Sequence, residues 1–229
     1  MTITPTFLTR AAGLSAVAAG LIFIGVQIGH PFLDATTATT TDYTVRESAK
    51  ALMSVLSLVG ITGMYLRQTV QTGILGLIGY VVFAAGYLAV LSVQVIGLAV
   101  LPTLATTVPG YVNDVFIVAT AGTPAGDVGA IQTLNQVGGI VFLLGGFLFG
   151  IALFRAGVLA RWAAAVLSLG AVATVLRAVL PGVNFRLFAI PIGVAMIGLG
   201  WSLWREQRSA AAGHADDQVT SPRDRAGAW

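Results

Sequence analysis

Polar side chains that could bind a ligand occur inside long apolar segments of this sequence. The stretch VQIGHPF ends the first apolar segment, and it places Gln27 and His30 three residues apart, just before Pro31. Residues with this spacing lie on one face of a helix. The pair therefore predicts one polar face near the end of the segment. A second interpretation is that His30 caps the helix end or contacts water.

The second apolar segment begins with two ionisable residues. Glu47 and Lys50 are three residues apart, and Ser54 and Ser57 continue the same helical stripe. The pair could contact a ligand, or it could be a local ion pair with a snorkelling lysine. Lys50 also lies four residues before Ser54, a spacing that allows a serine nucleophile with a lysine base. No strained elbow or oxyanion-binding pattern accompanies them, so an intramembrane hydrolase is a minor alternative.

The remaining apolar segments carry five further polar candidates. Gln94 lies in the third segment, Asn135 and Gln136 begin the fourth, Arg177 ends the fifth, and Arg186 opens the sixth. Four of them have an alternative structural role. The glutamine could clamp two helices, the amides of the fourth segment could begin a helix at the interface, and Arg177 could reach lipid headgroups.

The composition indicates an integral membrane protein. The 229 residues are 56% hydrophobic and 9% charged, with mean hydropathy +0.89, whereas soluble domains average about 25% charged residues. The net charge of +3 does not indicate nucleic-acid binding, because the basic residues occur singly beside apolar segments. The absence of cysteine excludes disulfides, thiolate metal sites and cysteine nucleophiles.

Segment lengths predict an all-α, polytopic bundle, since a bilayer core needs about 20 apolar residues per helix. Six transmembrane helices are expected, at 11–30, 47–66, 73–101, 131–154, 162–180 and 186–204. The first is expected to be retained, because its apolar run of about 19 residues exceeds the usual signal-peptide core of about 7–15. The membrane domain would span 1–208, followed by a disordered polar tail over 209–229.

Arginine placement predicts the orientation. Arg67, Arg155, Arg161 and Arg205 fall in connections or ends on one side, whereas the connections 31–45 and 102–130 contain no lysine or arginine. Under the positive-inside rule, both termini are cytoplasmic. In the outer connection 102–130, a short interfacial helix is expected to start near Pro109 and cover the mouth of the bundle.

Small residues are expected to pack the helices closely, because lipid provides no hydrophobic drive for helix association. They recur at helical spacing in four segments: Ala12, Ala16 and Gly20; Gly76, Gly79 and Gly86; Gly146 and Gly150; Gly193 and Gly200.

The segments 10–31, RAAGLSAVAAGLIFIGVQIGHP, and 148–167, LFGIALFRAGVLARWAAAVL, resemble the multi-pass integral membrane proteins of a domain-of-unknown-function family of high-GC bacteria. The resemblance implies a small helical bundle in the bacterial plasma membrane. It implies no particular activity.

The predicted topology brings the polar candidates to one depth, in the outer half of the bundle, and so predicts an outward-facing polar cavity. Two functions fit. In one, the cavity binds or transports a small polar or anionic ligand. In the other, the chain is a non-catalytic accessory or scaffold subunit whose polar cluster only locks the helices, with glycine faces contacting a partner subunit or a second copy. The predicted ligand-binding residues are Gln27, His30, Glu47, Lys50, Gln94, Asn135, Gln136, Arg177 and Arg186.

No catalytic residue, metal site or cofactor is predicted. The sequence has no phosphate-binding loop, zinc-protease motif, nucleophile elbow or dinucleotide-binding fingerprint. His214 lies in the polar tail, so a histidine pair for haem is excluded.

Overall fold

The structure is a computed structural model that describes residues 4–120, 122–176 and 189–220. The described residues form helices and their connections, without strands. The helices are α1 (Pro5–Gly25), α2 (Thr41–Arg67), α3 (Thr69–Ala99), α4 (Leu101–Thr107), α5 (Pro109–Ala119), α6 (Ala130–Ala156), α7 (Arg161–Leu176) and α8 (Ala189–Thr220), with a 3-10 turn at Thr37–Thr39.

Four of the described helices, α1, α2, α3 and α6, are long and apolar enough to cross a membrane. They correspond to the first four predicted spans, so the helical class and a membrane-embedded protein are supported. The fifth and sixth predicted spans, 162–180 and 186–204, extend into residues 177–188, which lie outside the described residues. Six spans, cytoplasmic termini and a plasma-membrane location stay predictions.

The boundaries of α1 differ from the predicted 11–30. The helix begins at Pro5, because the Thr4 hydroxyl accepts a hydrogen bond from the Phe7 N–H at 3.2 Å and proline fits the first helical turn. It ends at Gly25, five residues early, although the sequence stays apolar through Ile28. Gln27 and His30 therefore do not lie on a helical face, and that expectation was wrong.

Two other boundaries differ. Backbone dihedrals at Gly73 (φ +56°, ψ −150°) interrupt the start of α3, so a short turn precedes the long straight part of this helix. At the other end of the chain, α8 continues to Thr220, through the first part of the tail expected to be disordered from residue 209. The expectation for 221–229 falls outside the described residues.

Six of the described helices form a closed ring. Around the ring, α1 packs on α2, α2 on α3, α3 on α6, α6 on α7, α7 on α8, and α8 returns to α1. The centre is filled by large side chains, of which Tyr87, Phe83 and Phe149 are fully buried. Phe83 contacts the other two through tilted ring pairs, with centroid distances of 4.8 Å to Tyr87 and 6.2 Å to Phe149.

Glycines let the helices of the ring approach to backbone contact, as predicted. A Cβ atom built on Gly20 would lie 2.5 Å from the Gly193 carbonyl oxygen, and one built on Gly200 would lie 2.5 Å from that of Gly13. On the other side of the ring, a Cβ on Gly86 would lie 2.4 Å from the Phe142 Cα. Close van der Waals contact of this kind holds membrane helices together without a hydrophobic drive.

One end of the ring is covered by a second layer, which we call the cap: the 3-10 turn, α4 and α5. The cap has its own small core, in which Val112, Val115 and Phe116 of α5 are buried with Leu101 of α4 and Ala38 of the turn. α5 covers residues 109–119, where the sequence predicts a short interfacial helix, and the interfacial helix stays a prediction. The end of the ring beneath this layer is called the cap end below.

Candidate functional site

A cavity of about 310 Å³ lies at the cap end, between α1, α2, α3, α6 and the cap. Its volume is at the lower end of the range of small-molecule sites, about 300–1,000 Å³. Six of the predicted ligand-binding residues line it: Gln27, His30, Glu47, Lys50, Gln94 and Asn135. Residues from separate parts of the sequence thus converge on one space.

The other three predicted ligand-binding residues are not among the described residues that line the cavity. Gln136 is exposed and does not line the cavity, because it follows Asn135 by one position and so points away from it around α6. Arg177 and Arg186 lie outside the described residues.

An ion pair between Glu47 and Lys50 forms the charged part of the wall. The Lys50 ammonium lies 2.5 Å from Glu47 Oε1, and the side chains are 17% and 7% exposed, respectively. A buried charge is tolerated when it is paired. The sequence left open whether Glu47 and Lys50 form a local ion pair or line a ligand cavity, and in the structure they do both.

Tyr43 completes the wall next to this pair, and the sequence argument missed it because residue 43 falls before the predicted start of the second helix. α2 begins at Thr41, since the Thr40 hydroxyl accepts a hydrogen bond from the Tyr43 N–H. The buried Tyr43 hydroxyl donates to the Gly97 carbonyl at 3.2 Å. A side chain at Gly97 would crowd both this hydroxyl and Glu47, since its Cβ would lie 3.0 Å from Tyr43 Oη and 3.5 Å from Glu47 Oε2.

Gln27 and His30 reach the cavity from a non-helical segment, residues 26–30, which we call the strap. A positive φ of 58° at Gly29 turns the strap after α1. The His30 Nδ1–H donates to the Pro31 carbonyl at 2.9 Å. The two side chains share the cavity because of this turn.

Arg46 holds the strap in place, and it was also missed. Its guanidinium donates to the carbonyl oxygens of Val26, Ile28 and Gly29 at 3.0 to 3.2 Å, and to Asp42 Oδ2 at 2.8 Å. The positive charge also suits the carboxyl end of α1, where the helix dipole is negative. The spacing of Asp42 and Arg46 indicates an ion pair within one helix. The contacts of Arg46 with the strap carbonyls could not be predicted, because these carbonyls are available only where α1 ends.

Gln94 and Asn135 approach from the neighbouring helices α3 and α6. The Asn135 Nδ2 donates to the Ile131 carbonyl at 3.0 Å, one turn earlier in α6. The Gln94 amide makes no hydrogen bond to any group in the described part of the chain, and the same is true of the Gln27 side chain. The alternative role of Gln94 as an interhelical clamp is therefore not what the structure shows.

The geometry does not form the serine–lysine contact that a hydrolase would need. The Ser54 hydroxyl is buried and donates to the Lys50 main-chain carbonyl at 3.0 Å, while the Lys50 ammonium is bound by Glu47. The serine hydroxyl and the lysine ammonium therefore bind different partners.

Polar contacts tie the cap to the rest of the cap end. The Asn113 side chain accepts a hydrogen bond from the Ala35 N–H at 2.8 Å, so α5 is joined to the connection between α1 and α2. In the same connection, Asp34 accepts from the Thr37 N–H at 2.7 Å. The hydrogen bond from this backbone N–H is the largest effect on the pKa of Asp34 and lowers it below the usual value.

Comparison of the chain with protein-family models, with curated proteins and with solved structures finds no match. The resemblance to membrane proteins of high-GC bacteria therefore stays a prediction.

Proposed function

We propose that this membrane protein binds a small ligand with a polar group in the cavity at the cap end. Binding is the step that a transporter and a sensor share, and the predicted orientation makes the site face outward. The observation that carries the proposal is the convergence of six predicted polar residues on one cavity of about 310 Å³. Convergent polar groups in a formed cavity are typical of ligand sites.

The scaffold hypothesis predicts a different arrangement of the same residues. If the polar cluster served only to lock helices together, its side chains would pair with one another and fill the space between them. Instead, the Gln27 and Gln94 amides have no protein partner among the described residues, and both border a cavity. This favours the ligand-binding proposal.

Mass spectrometry of small molecules retained by the purified protein tests the proposal. We expect a molecule that co-purifies with the parent protein and with the Gln136→Leu variant, but is depleted from Gln94→Leu. The two variants make the same chemical change, and only Gln94 lines the cavity. Thermal unfolding should be similar in both. Equal retention by the two variants, or no retained molecule in any sample, would contradict the proposal; unfolding of Gln94→Leu alone would favour a scaffold.

A further inference from the structure

Most of the cavity wall is apolar. Phe23 of α1, Met53 of α2, Val90 of α3, Phe142 of α6 and Phe116 of the cap all face the space. A wall of this kind stabilises a ligand by removing apolar surface from water, about 25 cal/mol per Å² buried. The occupant is therefore expected to have an apolar body, and the polar groups contact only part of it.

The charges on the described wall cancel. Glu47 and Lys50 are the formally charged residues that line the described cavity, and their side chains are in contact at 2.5 Å. An ion entering this space would lose hydration and would meet a carboxylate and an ammonium that already neutralise each other. Removing an unpaired charge from water is far more costly than removing a neutral polar group.

Two primary amides supply the unused hydrogen-bonding capacity. Gln27 on the strap and Gln94 on α3 line the cavity from different elements, and neither side chain bonds to the described protein. Each amide offers two N–H donors and a carbonyl acceptor. Asn135 differs, since its Nδ2 is already used by the Ile131 carbonyl. A ligand head that both donates and accepts satisfies the two glutamines.

We infer that the ligand is an uncharged amphiphile, with an apolar body and a head that donates and accepts hydrogen bonds, as a primary amide does. Gln27 and Gln94 bind the head. The inference rests on the proposed function and narrows it, because it excludes anions, the other ligand class expected from the sequence.

Three probes of the same shape and different charge test this inference: cyclohexanecarboxamide, cyclohexanecarboxylate and cyclohexylmethylammonium. Their binding to the full chain in lipid nanodiscs would be measured by saturation-transfer NMR, with empty nanodiscs as the control for partition into lipid. We expect the amide to bind about tenfold or more tightly than either ion. Gln27→Leu and Gln94→Leu should each weaken amide binding about tenfold, the size of one hydrogen bond, and Gln136→Leu should not.

The outcomes separate this inference from the proposed function. Tighter binding of the carboxylate or the ammonium would overturn the inference and leave a ligand-binding cavity. Amide binding that is unchanged in both Gln27→Leu and Gln94→Leu would also overturn it. If none of the probes binds, the inference fails, and the mass spectrometry of retained molecules decides whether the proposed function fails with it.

Discussion

At the cap end, α1, α2, α3 and α6 surround a cavity, whereas in the opposite half of the ring small residues bring neighbouring helices into contact. A Cβ atom on Gly63 of α2 would lie 2.3 Å from the Ala12 Cβ of α1. Met64, Leu153 and Leu203 have no exposed surface there. Both halves are built from apolar helices. Whether a cavity forms between them therefore depends on the size of the facing side chains and on the segments, such as the strap and the cap, that lie over the helix ends.

The two halves also use ion pairs differently. At the cap end, the Glu47–Lys50 pair lies within α2 and borders the cavity, so it does not connect α2 to α3 or α6. In the opposite half, Arg67 at the end of α2 binds Glu206 of α8, and so joins two helices across the ring. The first pair lies within one helix, and the second links two helices.

The largest expected effect comes from removing one member of the pair at the cavity. Lys50→Met leaves the Glu47 carboxylate buried without a partner, a change that costs up to about 3–5 kcal/mol. The double variant Glu47→Gln/Lys50→Met should recover most of this loss. Unfolding free energies in mixed micelles would measure both.

Arg67→Met provides the matched control in the opposite half. Its pair with Glu206 is about one-third exposed on both sides, so the expected loss is about 1 kcal/mol or less. Equal losses for Lys50→Met and Arg67→Met would contradict the view that the cap-end pair is the buried one.

A smaller effect is expected from filling a helix contact. Gly145→Ala on α6 would place a Cβ 2.3 Å from the Phe83 backbone nitrogen of α3, and overpacking of this kind typically costs about 1–3 kcal/mol. Gly139→Ala on the same helix meets nothing within 4 Å and should be neutral or stabilising by up to about 1 kcal/mol. The same unfolding measurement compares them, and a harmless Gly145→Ala would show that α3 and α6 are not closely packed.

Loss of the strap contact should act locally. Arg46→Met removes the donors to the Val26, Ile28 and Gly29 carbonyls, at a cost of about 1 kcal/mol, because the side chain is partly exposed. Amide hydrogen exchange should become faster in residues 26–30 and stay unchanged around Gly145. Unchanged exchange in the strap would mean that Arg46 does not hold it.

The smallest expected effect is the loss of a hydrogen bond in the cap connection at low pH. The hydrogen bond from the Thr37 N–H lowers the pKa of Asp34, so this bond stabilises the cap connection at pH values above 3.8, the ordinary pKa of aspartate. The stabilisation is lost as the pH falls through the lowered pKa. The Thr37 amide shift in NMR should titrate with a midpoint below 3.8. Asp34→Asn should abolish the titration, and a midpoint above 3.8 would contradict the assignment.

The sequence predicted the depth of the polar residues better than their local structure. Hydropathy and helical spacing brought Glu47, Gln94 and Asn135 to one end of the bundle because those residues lie in helices. They failed for Gln27 and His30, since the apolar sequence continues past Gly25 while the helix stops. Hydropathy reports burial in apolar surroundings, and it does not distinguish an apolar strap from a helical turn.

The sequence predicted a polar cavity, but it could not exclude a packed hydrogen-bond network at the same place. That outcome depends on how far apart α1, α3 and α6 stand at the cap end, which is set by the glycine contacts elsewhere along them and by the cap above. Spacing in one helix carries no information on that separation. The role of Arg46 was hidden for the same reason, because its partners are main-chain carbonyls of another segment.

Thiol labelling tests the central contrast most directly, because the chain contains no cysteine. Gln94→Cys places a thiol on the cavity, and Ile61→Cys places one at a fully buried position of the opposite half. A small, uncharged and water-soluble methanethiosulfonate should modify the first in the folded protein and the second only after denaturation. An unreactive Gln94→Cys, or equal reaction at the two positions, would contradict a water-accessible cavity at the cap end and a closed core around Ile61 in the opposite half.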